Sequence, residues 1–396
     1  MSIRQWTARI GGGLAVLVAL AALAEVATYD RKAWGADFER LKADMAQGYA
    51  NLDWIAEQRR LDLPALSRET ARDLDGARSR LRAYLALQRF IDRFGDPHLQ
   101  LAAQETGGGG PAPASAASAG PPPDSPVSDC AGAGYGEGDH GFGFAAGRLP
   151  GWRPLAGGNF PTGLAGTTGL LRIAQFGENQ YLSACTARFR PGIGERALQL
   201  EVRAALQAEL RERLAQLRRA GATRLLVDLS GNGGGSEWVN EAIALFTARP
   251  LERPATRQVG PACDRRGIWE GKRPACPVFA AAGAPMRIEG EGDWAGPLLV
   301  LIDGGTASAS EDFVAWMKDN RAGRLVGART YGAGCGYVNG GTRTRLRALP
   351  FDVRMPNCAR FLRNGTNEIE GIAPDVALPM AEPEKAADAL ARLLAA

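Results

Sequence analysis

The sequence predicts an α/β protein in which a mainly parallel sheet, covered by helices on both faces, follows a helical N-terminal domain. Three observations carry this. Apolar runs of strand length, such as Leu298–Ile302, alternate with amphipathic helical stretches, such as 195–220. The runs at 224–229 and Leu298–Ile302 pass straight into glycine turns that open helices, which is how parallel strands are connected. Residues 35–104, in contrast, look helical, with Phe94-Gly95-Asp96-Pro97-His98 breaking the second helix. At 396 residues, 45% apolar and 23% charged, the composition is that of an ordinary globular chain with room for more than one domain.

In chain order, Arg4 and Arg9 precede an apolar run at 10–24 that ends Ala22-Leu23-Ala24. This pattern reads as an export signal over 1–24 and places the protein in the periplasm or outside the cell. An uncleaved anchor is the alternative, but it needs roughly 20 apolar residues, and Glu25 interrupts the run. Residues 25–104 form the helical domain. Phe38, Leu41, Met45, Tyr49, Leu52 and Ile55 recur at helical spacing, and a second helix after Gly76 carries Leu81, Tyr84, Phe90 and Ile91. The Gly/Pro/Ala/Ser tract at 105–129 has no apolar face and reads as a linker. Residues 130–396 form the core. Strands are predicted at 169–176, 224–229, 298–302, 325–326, 342–349 and 351–354. Helices are predicted at 195–220, at 237–246, and from Thr306 as N-cap to about Asn320.

Charge and cysteine usage narrow the partners. A net charge of +4 with no long basic run excludes nucleic acid, and leaves membrane attachment only through an uncleaved N-terminal segment. All six cysteines lie beyond the signal, and in an oxidising compartment an even number suggests disulfides. Proximity favours Cys263 with Cys276 and Cys335 with Cys358, leaving Cys130 with Cys185. With two histidines and no CxxC spacing, no metal site and no cofactor are expected.

Two segments carry chemistry. Ser308 lies where an apolar strand turns into a helix, beside unpaired amides and the positive end of the helix dipole. That makes it a candidate nucleophile; first-turn capping by Thr306, Ser308 and Ser310 is the plainer alternative. The run Asp228-Leu-Ser-Gly-Asn-Gly-Gly-Gly235 exposes backbone N–H groups, as an oxyanion hole requires, although a tight turn alone also needs such glycines.

Together these segments resemble the S41 peptidases, the C-terminal processing and tricorn-like serine proteases. The matching pieces are 225–235 (LLVDLSGNGGG), 298–313 (LLVLIDGGTASASEDF), 324–334 (RLVGARTYGAG) and 368–376 (EIEGIAPDV), in the family's order. The resemblance implies a ClpP/crotonase-like core with Ser308 as nucleophile. It also implies oxyanion donors at Ala309 and in the Gly233-Gly234 turn. Processing proteases carry a lysine base where this chain has Ala333, and Lys318, ten residues along the helix from Ser308, is no replacement. The tricorn-like branch instead implies a histidine in a D-x-H segment, matched by Asp96-Pro97-His98, and an acidic residue, matched by Glu368. His140, in a stretch that looks like a flexible loop, is the lesser candidate base. Glu370 is the lesser candidate acid, and Glu311 reads as a helix-surface or supporting carboxylate. The expected activity is hydrolysis of peptide or protein substrates. No PDZ pattern separates the helical region from the core, so capture of a free C-terminus is not implied. The rival reading is a non-catalytic peptide-binding or scaffold protein on the same fold.

Overall fold

The computed structural model describes residues 25–104, 125–260 and 263–395. The expected signal (1–24) and most of the expected linker (105–129) lie outside the described residues. Two compact units form. One holds the N-terminal helices together with Arg257–Ala281 and Gly336–Cys358, and the other holds the described residues 125–256 together with Ala282–Cys335 and the C-terminal stretch from Ala359.

From Arg31 on, the first unit opens with a run of helices. In α1 (Arg31–Gly48) the Asp30 carboxylate caps the amides of Lys32 and Ala33, and Trp34, Phe38, Leu41 and Met45 are buried. The predicted helix through Ile55 is in fact two, because Tyr49 takes extended backbone (φ −77°, ψ 107°) before α2 (Leu52–Gln58) begins. α3 (Leu63–Gly76) is capped by Asp62, with Pro64 in its first turn. α4 (Arg80–Asp92) starts at Ser79, and Phe90 meets Phe38 of α1 edge-on at 5.0 Å. The chain then enters β1 (Gln100–Ala103).

The second unit is built on a seven-stranded sheet. β2 (Trp152–Ala156), β3 (Thr162–Ala165) and β4 (Thr168–Arg172) form its antiparallel edge. After α5 (Leu182–Arg188) and the long α6 (Glu195–Arg219), β5 (Arg224–Asp228) pairs parallel with β4. α7 (Trp238–Leu245) leads to β6 (Leu251–Arg253), which pairs antiparallel with β7 (Met286–Ile288) outside the main sheet. β8 (Leu298–Ile302) follows, with the bounds the sequence predicts, then α8 (Ala309–Asp319) and β9 (Arg324–Gly327). In the first unit, β10 (Thr342–Arg345) and β11 (Phe351–Met355) complete a three-stranded antiparallel sheet in the order β1-β11-β10. β12 (Val376–Ala377) then closes the main sheet, whose order is β12-β9-β8-β5-β4-β3-β2, and α9 (Pro383–Ala395) follows it.

Alternation along β5 and β8 sorts the core into two layers. Leu225, Val227, Leu298, Val300 and Ile302 pack in one cluster with Leu206, Leu210 and Leu214 of α6, Ile243 of α7 and Phe313 of α8. Leu226 and Leu301 face the other way, against Ala387 and Leu390 of α9. Both faces are therefore covered, and the strands read as unbroken apolar runs. Disulfides join Cys130 to Cys185 and Cys263 to Cys276, as proximity suggests. Cys335 and Cys358 are disulfide-bonded as well, and no thiol is free among the described residues. No helix of the described residues is long and apolar enough to cross a membrane.

Candidate active site

β5 and β8 are parallel neighbours, with Val227 opposite Val300, so the turns after them leave the carboxyl edge of the sheet side by side. Asp303 laces the two turns together. Its Oδ1 accepts from the amides of Gly231 (2.7 Å), Gly305 (2.9 Å) and Thr306 (3.1 Å). The Thr306 hydroxyl donates to the Leu229 carbonyl at 2.9 Å, and the Ala307 amide donates to the Asn232 carbonyl at 3.0 Å. Thr306 is thus a cross-link between turns and not the predicted N-cap. The helix starts later, at Ala309, because Ser308 takes a left-handed φ that no helix propagates.

Ser308 has φ 55° and ψ −113°, a strain of about 1–3 kcal/mol for a non-glycine residue. Its own amide and carbonyl hold it there. The amide donates to Glu311 Oε2 at 3.0 Å, and the carbonyl accepts from Arg360 Nη2 at 2.8 Å. The residue itself is half-buried. Gly234, at φ 102°, packs directly on this turn: a Cβ there would stand 2.8 Å from Ser308 Cβ and 2.8 Å from the Ala309 nitrogen. The Gly234 amide is occupied by Asn232 Oδ1 at 2.9 Å. The amides of Gly233 and Ala309 have no acceptor among the described residues, and a Cβ on Gly233 would meet nothing within 4 Å. Unengaged amides on Ala309, the residue after Ser308, and on Gly233, the residue before Gly234, are donors of the kind that stabilise an oxyanion.

Glu311 is fully buried, so the helix-surface alternative is corrected. Its Oε1 accepts from the Thr330 hydroxyl (2.6 Å) and the Gly332 amide (2.7 Å), and Oε2 accepts from the Ala333 and Gly334 amides (2.9 Å each) in addition to Ser308. The segment that carries Ala333 is thereby tied to the Ser308 turn. Burial pushes the Glu311 carboxyl above its ordinary range against the pull of Thr330; Glu368 adds to the rise, and the Gly334 and Gly332 amides oppose it. Ala333 contributes only a buried methyl group.

Glu368 lies in the same unit and is also fully buried, whereas Glu370 is exposed. Arg253 Nη2 donates to Glu368 Oε1, and Arg360 Nε donates to Oε2 at 2.7 Å. Asp312 pairs with both arginines. Arg360 passes this network on to the site, donating to the carbonyls of Ser308 and of Gly334, the latter at 3.0 Å. Neither arginine was singled out in the sequence, where each stands alone in a short or irregular stretch.

His98 belongs to the first unit, just beyond α4. Its side chain is 17% exposed, and its amide donates to Asp96 Oδ1 at 2.9 Å. His140 is buried and stacks on Tyr181 with ring centroids 4.7 Å apart, which corrects the expectation of a flexible loop. No group of three or more potential metal ligands gathers among the described residues.

The model of Peptidase family S41 matches residues 167–378. The tail-specific protease of Haemophilus influenzae is 29% identical over 185 residues, 44% of this chain and 23% of that protein. The carboxyl-terminal-processing protease of Picosynechococcus is 29% identical over 137 residues, 32% of this chain and 26% of that protein. The match thus spans about a quarter of the length of either relative. Among solved structures, mature CPAF superposes with a TM-score of 0.60 at 15% identity, covering 92% of this chain and 96% of that one. A peptidase structure from Parabacteroides merdae gives 0.51 at 16% identity, covering 91% and 96%. At these identities the structural likeness concerns the fold.

Proposed function

The chain belongs to peptidase family S41, and on that premise we propose that it is an exported serine endopeptidase that cleaves peptide or protein substrates through Ser308. The observation that carries the reading is the Ser308 turn itself. A half-buried hydroxyl sits on strained backbone, with the unengaged amides of Ala309 and Gly233 at hand and Gly234 packed too closely for any side chain. In this mechanism the Ser308 hydroxyl attacks the scissile carbonyl and His98 takes its proton. The amides of Ala309 and of the Gly233-Gly234 turn hold the oxyanion, the free donor in that turn being Gly233. His98 then returns the proton to the leaving amine. Glu368 is the acidic third member, orienting His98. Its burial and its link through Arg360 to the Ser308 carbonyl support a place in the site. A histidine base suits neutral pH and replaces the lysine that Ala333 lacks. Export is supported by the disulfides and by the signal-like composition of 1–24.

The test is Ser308→Ala, assayed on a peptide library. Hydrolysis is expected to fall to background with the circular dichroism spectrum unchanged, and retained turnover refutes the proposal. A serine-reactive phosphonate is expected to label Ser308 in the wild type and to lose most of that labelling in His98→Ala. A chain that takes no label is a binder on a peptidase fold.

A further inference from the structure

Several residues of its own unit lie against His98. Asp96 lies two residues before it, across Pro97, whose ring fixes φ near −65°. The Asp96 carboxylate is fully buried: Oδ1 accepts the His98 amide at 2.9 Å and lies 4.0 Å from His98 Nδ1, and Oδ2 accepts the Tyr49 hydroxyl at 2.8 Å. Tyr49 is itself fully buried at the end of α1. On the other side of the imidazole, Tyr337 meets the ring edge-on at 5.6 Å, and its hydroxyl donates to the His98 carbonyl. A Cβ on Gly336 would stand 3.0 Å from His98 Nε2, so the absence of a side chain there leaves that nitrogen its room.

We propose that Asp96 is a positioning carboxylate of His98 in addition to Glu368, fixed on the Nδ1 side of the ring by the Tyr49 hydroxyl. This rests on the reading of His98 as the base. A carboxylate beside Nδ1 favours the tautomer with the proton on Nδ1 and Nε2 as the acceptor, and it stabilises the imidazolium that follows. The 4.0 Å separation is too long for a hydrogen bond, so the influence in the resting protein is that of charge; such contacts shorten when a catalytic base is engaged. Two bonds on the carboxylate, from the His98 amide and Tyr49, fix its plane. Burial raises the Asp96 carboxyl from its ordinary range, and His98, Tyr49 and Arg59 oppose the rise. Arg354 and Gln100 act on the neighbouring Tyr337. Glu368, in comparison, has each carboxylate oxygen engaged by an arginine.

Two histidines make the test direct, because the imidazole Cε1–H region of the full chain holds two resonances, assigned by His140→Gln. In Asp96→Asn the His98 titration midpoint is expected to fall by about one unit or more, the effect of removing an opposite charge at this range. The acid limb of kcat/KM is expected to move down with it. Asp96→Ser keeps an acceptor for the His98 amide without the charge and is expected to show the same shift if the asparagine variant folds poorly. Asp96→Glu should restore part of it. Glu368→Gln, which removes a carboxylate already engaged by two arginines, is expected to shift the midpoint by less than the uncharged Asp96 variants do. A midpoint unmoved by both uncharged Asp96 variants, or moved as far by Glu368→Gln, overturns the assignment. Because the titration needs no turnover, an inactive wild type with a shifting midpoint sinks the peptidase reading alone, and an active one with an unmoved midpoint sinks only the role of Asp96.

Discussion

Glu311 accepts five hydrogen bonds, from the Thr330 hydroxyl and from the amides of Ser308, Gly332, Ala333 and Gly334. Each buried donor left without a partner costs about 1–3 kcal/mol. Glu311→Ala is therefore expected to lower stability by more than about 3 kcal/mol in urea unfolding. Thr330→Val removes one of these donors and also the acceptor of the buried Ile372 amide, and is expected to cost less than Glu311→Ala, about 1–3 kcal/mol. Equal losses in the two variants would contradict the anchoring role. The carboxylate was legible in part, since Ser308-x-x-Glu311 has the spacing of a capping box, in which the third residue reaches back to the cap amide. What the spacing does not reveal is the second half of its work, because Thr330–Gly334 approaches Glu311 only in the folded chain. Arg253 and Arg360 were illegible for a related reason: an isolated arginine carries no periodicity, and its burial depends on partners 59 and 115 residues away for Arg253.

At the scale of elements, the two turns differ from ordinary strand-to-helix connections in how closely they approach each other. Gly234 and Gly233 are adjacent, yet a Cβ is expected to act oppositely at the two positions. Gly234→Ala brings a methyl group within 2.8 Å of Ser308 Cβ on backbone at φ 102°, so both activity and stability should drop, the latter by about 1–3 kcal/mol or more. Gly233→Ala enters open space and keeps its amide, and its midpoint of thermal unfolding should stay within a few degrees of the wild type. Similar midpoints for the two would refute the close packing. The strands flanking these turns were legible because burial on both faces makes them continuous apolar runs. β2 and β3 were not: they are short, and they hold Pro154 and Gly163 in place of a branched apolar pattern. The first helical stretch reads as one element in the sequence because its apolar spacing continues across the extended residue Tyr49.

For the whole molecule, a reading of local composition separates the helical N-terminus from all that follows. The folded chain instead returns to that first unit twice, through Arg257–Ala281 and Gly336–Cys358. No periodicity announces such a return, because it is decided by pairings such as Gln100 with Arg354, far apart in sequence. Disulfides restrain the unfolded chain, more so for longer loops. Counting thiols in denaturant without reductant is expected to find none. The Cys130–Cys185 bridge closes 55 residues and the Cys263–Cys276 bridge closes 13. On chain entropy their removal as serine pairs is expected to cost about 4 and about 3 kcal/mol. A larger loss for the shorter loop would show that chain entropy does not set the order.

The backbone of Ser308 also filters which nucleophiles can occupy the position. Threonine offers the same hydroxyl, but a branched Cβ at φ 55° is a severe outlier. A change that preserves the reactive group can therefore still destroy the turn. The position is open to small unbranched side chains, so the range of chemistry it can acquire is set by main-chain shape before reactivity is tried.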